Sequence, residues 1–153
     1  MDLMLWRHAE AVECDDPSQD SFRKLTQRGE KQASRMAHWL DRQLPQTTRV
    51  WASPTVRTQE TAKALGRPFK VRQELGPDAS VDQIIELIGW PNAKSPILLV
   101  GHQPTLGHLI ARLLSISSGE LPVKKGSVWW LRYRQRDDVG QTVLLAVQSP
   151  DTL

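Results

Sequence analysis

Two histidines and two arginines in this 153-residue chain lie at or shortly after the ends of short apolar runs. Arg7 and His8 follow Leu3–Trp6, His102 follows Ile97–Gly101, and Arg57 lies just beyond Ser53-Pro54, after Val50–Ala52. No serine or cysteine nucleophile is evident beside them. The planar guanidinium fork matches phosphate oxygens bidentately and keeps its charge at all physiological pH. A neutral imidazole nitrogen can attack phosphorus and form a covalent phosphoenzyme, which splits one displacement into two. Flanking cations disfavour protonation of that imidazole and stabilise charge on the equatorial oxygens in the transition state. These residue types predict phosphoryl transfer to water. A metal site using His8, His102 and His108 is the weaker alternative, because hard metals recruit carboxylates and adjacent arginines repel a cation. His38 and His108 read most simply as surface or boundary helix residues.

The elements that must position these residues alternate in type. Strands are expected at Leu3–Trp6, Arg49–Ser53, Phe69–Gln73 and Ile97–Gly101. Between them, Thr26 is a good N-cap for a helix whose Ala33, Met36, Ala37, Leu40 and Leu44 form one face, closed by Pro45. A second helix is expected to open at Pro54 and run to about Leu65. A third carries Val81, Ile84, Ile85 and Ile88, and a fourth opens at Pro104. The period changes after Ser127: Ser127–Arg134 and Thr142–Gln148 read as a hairpin joined through Asp137–Gly140. The expected fold is α/β, a three-layer α/β/α sandwich. Its central sheet is mostly parallel, with a C-terminal antiparallel edge hairpin. In such sheets ligands bind beyond the carboxyl ends of the strands. The polar residues above fall on that edge, and helix N-termini near Pro54 and Pro104 would add positive dipole ends there.

Composition sets the class. A chain of this length, 39% apolar and 24% charged, suits one domain spanning 1–153 with a sizeable core. The net charge of +3 fits an anionic substrate, but no basic run exceeds Lys124-Lys125, so nucleic acid is not expected as a partner. The six tryptophans are dispersed and suit core packing better than base stacking. Trp129 and Trp130 must face opposite sides of their strand. A lone Cys14 allows no intrachain disulfide and no cysteine zinc site. No run approaches the roughly 20 apolar residues of a membrane span, and the N-terminal residues lack the features of a signal peptide. A cytoplasmic monomer is expected.

Four ordered segments carry a resemblance to a known family. Leu5-Trp6-Arg7-His8-Ala9-Glu10-Ala11 resembles the "RHG/RHA" signature of the histidine phosphatase (phosphoglycerate mutase-like) superfamily, and Leu25-Thr26-Gln27-Arg28-Gly29 its "LT..G" segment. Ser53-Pro54-Thr55-Val56-Arg57-Thr58-Gln59-Glu60-Thr61-Ala62 resembles "SP..R..QTA", and Val100-Gly101-His102-Gln103-Pro104 resembles "VGH.P". The short middle region looks most like the SixA branch of small phosphohistidine phosphatases. The resemblance implies a metal-free, cofactor-free two-step mechanism. His8 would be the phosphorylated nucleophile, Arg7 and Arg57 would clamp the phosphoryl oxygens, and His102 would hydrogen-bond the transferred group. Arg23 matches a basic position that faces the phosphate. The implied substrate is phosphohistidine on a protein. The alternatives are a small phosphoester, such as a nucleotide or sugar phosphate, or a phosphate-binding module without turnover. Two departures stand out. Position 9 is Ala where the superfamily usually has Gly, and no motif supplies the carboxylic acid found in larger members. Glu74, Asp78 and Asp82 lie in the right region, with Glu74 read as a strand end and Asp78 as part of a helix start. Glu10 reads as a rim residue.

Overall fold

The computed structural model describes residues 1–117 and 119–153. Strand β1 (Asp2–Arg7) leads to a 3₁₀ turn at Pro17–Phe22 and helix α1 (Gln27–Gln43). Then come β2 (Arg49–Ala52), α2 (Val56–Lys63), β3 (Lys70–Val71), α3 (Val81–Ile88), β4 (Ile97–Gly101) and α4 (Thr105–Leu113). Strands β5 (Val128–Arg136) and β6 (Val139–Gln148) complete one six-stranded sheet ordered β3-β2-β4-β1-β5-β6. The first four strands are parallel, and β5 and β6 are antiparallel.

Strand alternation builds the two faces of the sandwich. Met4 and Trp6 of β1 pack with Met36, Ala37 and Leu40 of α1 and Ala62 of α2. Leu3 and Leu5 pack on the opposite side with Ile84 and Ile88 of α3 and Leu106, Leu109 and Ile110 of α4. Trp130 joins the first cluster and Trp129 the second, as neighbours on one strand must. The chain moves one way along the sheet through β1, β2 and β3, then reverses through β4 and β5. Right-handed crossovers therefore put α1 and α2 on one face and α3 and α4 on the other. The connections leave in opposite directions between β1 and β4, which makes that crevice the switch point of the sheet.

Local chemistry explains most boundaries. Thr26 caps α1, its hydroxyl accepting from Gly29 N at 2.9 Å, and Ser80 caps α3 in the same way. Gly29 admits no side chain, since a Cβ there would collide with the Glu10 carbonyl. Three expectations need correction. Helix α2 starts at Val56 under a Thr55 cap instead of at Pro54, because the Thr55 hydroxyl accepts from Thr58 N. The third strand is only Lys70–Val71, since Gln73–Leu75 turns into a 3₁₀ segment that buries Leu75. The polar segment after β1 holds the Pro17–Phe22 turn, capped by Asp16 accepting from Ser18 N. Asp137 and Asp138 both adopt positive φ, so the hairpin turn has two residues and β5 and β6 run longer than expected. No helix is long and apolar enough to cross a membrane among the described residues.

Candidate active site

The switch-point crevice gathers the polar residues from three strand ends. The ladder continues one residue past β1 and β2: His8 N donates to Gly101 O at 3.1 Å and Ser53 N to Val100 O at 3.1 Å. His8, Ser53 and His102 therefore stand side by side, and the two imidazole centroids lie 5.4 Å apart. The resulting pocket, about 240 Å³, is lined by Arg7, His8, Arg23, Arg57 and His102, with Glu13, Gln103 and Lys125 also on its walls.

Hydrogen bonds set the imidazole tautomers. His8 Nδ1 lies 2.7 Å from the Ala9 carbonyl, an acceptor only, so Nδ1 carries the proton and Nε2 keeps its lone pair. His102 Nε2 lies 2.7 Å from Ser53 Oγ, and its Nδ1 is 3.5 Å from Arg57 Nη2. A guanidinium can only donate, so Nδ1 presents its lone pair to Arg57 and Nε2–H donates to Ser53. Burial pushes His8 down to about 4, with Arg57, Arg7 and Arg23 acting the same way against the bond to Ala9. His102 falls to about 3, chiefly by burial and then by Arg57 and His8. Both rings are neutral at pH 7.

That neutrality has a stability consequence with a definite sign. The unfolded histidines titrate near 6.5, so between there and about pH 4 the unfolded chain binds protons that the native rings refuse. These two groups leave stability flat above about pH 6.5. Below it, stability falls with pH by about 1.4 kcal/mol per pH unit per imidazole. Urea unfolding between pH 7 and pH 5 should show this slope, and His102→Asn should reduce it. An unchanged slope in the variant would contradict the burial of a neutral His102.

The arginines are held by the protein itself. Arg57, 3% exposed, donates from Nη1 to the Asp20 carbonyl at 2.8 Å and from Nη2 to the Asp20 carboxylate at 3.0 Å. Asp20 also accepts from Arg23 Nε at 3.0 Å, and Arg23 Nη1 donates to the Val12 carbonyl at 3.1 Å. Burial would raise the Asp20 carboxyl, but its bonds to Arg57 and Arg23 outweigh that and keep it below the usual carboxylate range. Arg7 Nη1 donates to the Val123 carbonyl at 2.8 Å. Nε of Arg7 and Nε of Arg57 are both buried without an acceptor among the described residues. Thr61 Oγ1 accepts from Ala9 N at 3.1 Å, and the Glu60 carboxylate accepts from Leu25 N at 2.8 Å. The segment around Arg57 thus ties α2 to the chain leaving β1.

All five expected residues, Arg7, His8, Arg23, Arg57 and His102, meet in one pocket. None of the four carboxylates considered from sequence lines it. Glu10 accepts from Thr26 Oγ1 at 3.3 Å and stands 3.9 Å from Arg28, beside a neighbouring groove. Asp82 pairs with Arg112 at 2.7 Å, and Glu74 and Asp78 are exposed. Glu74 lies in the 3₁₀ segment instead of ending a strand. Sequence reasoning missed Asp20 and Glu13. Both lie in the long polar loop after β1, where no periodicity distinguishes one carboxylate from another.

The comparisons with known proteins agree with this geometry. A model of the histidine phosphatase superfamily (branch 1) matches residues 3–79. Phosphohistidine phosphatase SixA of Escherichia coli K12 is 29% identical over 130 residues, covering 80% of this chain and 78% of its own length. An uncharacterised protein of Picosynechococcus is 32% identical over 142 residues, 86% of this chain and 85% of its own. A solved structure of the protein histidine phosphatase SixA complexed with tungstate matches 99% of both chains, with a TM-score of 0.75 at 26% identity. The chain belongs to the histidine phosphatase superfamily, in which it is a phosphatase of the SixA-like kind.

Proposed function

We propose that this chain removes the phosphoryl group from a phosphohistidine on another protein, with His8 as the covalent nucleophile. The observation that carries the proposal is the buried, neutral His8 ring, with Nδ1 anchored on Ala9 and Nε2 left unprotonated among three arginines. In the first step the Nε2 lone pair forms a bond to phosphorus as the bond from phosphorus to the substrate imidazole breaks. A substrate ring protonated on its other nitrogen departs as neutral imidazole, so it needs no proton from the enzyme. In the second step water attacks phosphorus, the bond to Nε2 breaks and its electron pair returns to His8. The water proton leaves with solvent, and inorganic phosphate is released. His8 also departs as a neutral ring, because Nδ1 keeps its proton throughout.

Arg7 and Arg57 are assigned the equatorial phosphoryl oxygens. Both guanidiniums line the pocket beside His8, where their forks can meet phosphoryl oxygens. Arg23 stands behind Arg57 through the shared Asp20 and adds positive charge to the same wall. His102 is assigned a hydrogen bond to the transferred group, for which its Nε2–H passes from Ser53 Oγ to a phosphoryl oxygen while Nδ1 still accepts from Arg57. The SixA relative was solved in complex with tungstate, a tetrahedral oxyanion like phosphate, which supports a phosphoryl group as the ligand class.

Asp20 is a positioning residue. Asp20→Ala should lower kcat about 10–100-fold by loosening Arg57, with a smaller change in KM. An unchanged kcat in steady-state assays would remove it from the account. A phosphoester reading is favoured by one observation, the Glu13 carboxylate on the pocket wall, which could protonate an alkoxide. Glu13→Gln should leave phosphohistidine turnover within about threefold of wild type, because that leaving group needs no acid. Parallel kcat/KM measurements on a phosphohistidine protein and a panel of small phosphoesters decide between the readings. Higher values for the phosphoesters, lost in Glu13→Gln, would replace the proposal.

A further inference from the structure

A second charged surface adjoins the catalytic pocket. Lys125 lines both the pocket and the groove beside it, whose walls include Arg28, Gln32 and Lys124. That groove shares Arg28, Gln32 and Pro150 with a further concavity bounded by Lys31 and Arg35. Arg28, Lys31, Gln32 and Arg35 follow helical spacing along one face of α1, and Arg28 to Arg35 spans about 10 Å along its axis. The result is a continuous basic track leading away from His8. Five cations line it against two carboxylates, Glu10 and Asp151. Their pairings are long, 3.9 Å for Arg28 with Glu10 and 3.8 Å for Lys124 with Asp151. Lys31, Arg35 and Lys125 form no ion pair among the described residues.

The frame beneath the track is rigid. Gly126 N donates to the carbonyls of Arg7 and His8, both at 3.1 Å, which ties the Lys124–Lys125 turn to the end of β1. Gly126 has φ +78°, and a Cβ there would press on Pro150 and approach Gln32. Gln32 in turn accepts from Glu10 N at 3.0 Å. The track therefore keeps a fixed position relative to the catalytic histidine. Lys31 and Arg35 line the far concavity and not the catalytic pocket.

We infer that the phosphorylated protein docks an acidic surface segment beside its phosphohistidine onto this track, from Lys125 toward Arg35. The inference rests on the phosphohistidine reading above and specifies the partner. Charge complementarity of this kind acts on encounter and orientation and weakens with salt. The two carboxylates within the track and the absence of aromatic side chains from its walls among the described residues favour an acidic polypeptide over a nucleic acid.

The test uses two peptides of equal length with a central phosphohistidine, one flanked by glutamates and one by lysines, together with N-phosphoimidazole. At low salt, kcat/KM for the Glu-flanked peptide should exceed that for the Lys-flanked peptide about tenfold or more, and the ratio should fall toward one as salt rises. The double substitution Lys31→Glu/Arg35→Glu should abolish the preference and leave N-phosphoimidazole turnover unchanged. Equal kcat/KM for the two peptides in wild type, or a preference that survives the double substitution, overturns the docking inference alone. Tighter binding of a duplex DNA than of the Glu-flanked peptide overturns it in favour of nucleic acid. Failure to turn over either peptide or N-phosphoimidazole, with small phosphoesters still hydrolysed, overturns both this inference and the reading beneath it.

Discussion

His8→Ala is expected to lower phosphohistidine hydrolysis by on the order of 10⁴–10⁶-fold, the scale seen when a covalent nucleophile is removed. The loss should appear in kcat, because the pocket's arginines remain to bind the phosphoryl group. Arg57 is held by Asp20 and Arg7 by the Val123 carbonyl, and neither contact involves the His8 ring. The fold should survive as well. His8 is a polar side chain at a strand end, and its backbone N–H to Gly101 O does not depend on the ring. Circular dichroism and phosphate-analogue binding close to wild type would separate a missing nucleophile from a collapsed site. Retained turnover in His8→Ala would remove the nucleophile assignment.

The second large effect is expected at Arg57. Arg57→Ala should cost on the order of 10²–10³-fold in kcat, as for loss of a preorganised group that stabilises transition-state charge. Two structural features make this position stricter than an ordinary surface cation. Its guanidinium spans the carbonyl and the carboxylate of Asp20, which fixes the orientation of the fork. Its Nη2 also stands 3.5 Å from His102 Nδ1, so removing it disturbs a second pocket residue. Arg57→Lys should rescue little of the loss, because an ammonium cannot satisfy both Asp20 contacts and still present a planar face to phosphate. Stopped-flow comparison of the first turnover with the steady state locates the loss. Kinetics of Arg57→Lys equal to wild type would show that the position needs only charge.

Much of this site is legible from short-range pattern. The apolar runs Leu3–Trp6 and Ile97–Gly101 are buried on both faces, so their short unbroken apolar character marks strands and the residues that follow them mark one sheet edge. Thr26 and the apolar stripe of α1 identify a helix from its cap and face alone. What escapes the sequence depends on long-range contacts. Asp20 matters because a 3₁₀ turn brings it to Arg57, 37 positions away. Arg7 is anchored on a backbone carbonyl at Val123, a position whose side-chain identity carries no signal for that contact. The third strand ends early because Leu75 turns inward to join Ile84 and Ile88, a packing preference that local β propensity does not register. Glu10 shows the opposite case. It sits within the motif, yet the chain leaving β1 directs it toward Thr26 and Arg28 instead of the pocket.

The most direct test of the central claim is intact-protein mass analysis after rapid mixing with a phosphohistidine peptide, quenched under alkaline conditions that preserve phosphoramidates. The expected result is a transient gain of one phosphoryl group on wild type, mapped to His8 by fragmentation and missing from His8→Ala. Turnover with no phosphoryl adduct at any mixing time, or an adduct that persists in His8→Ala, would contradict it.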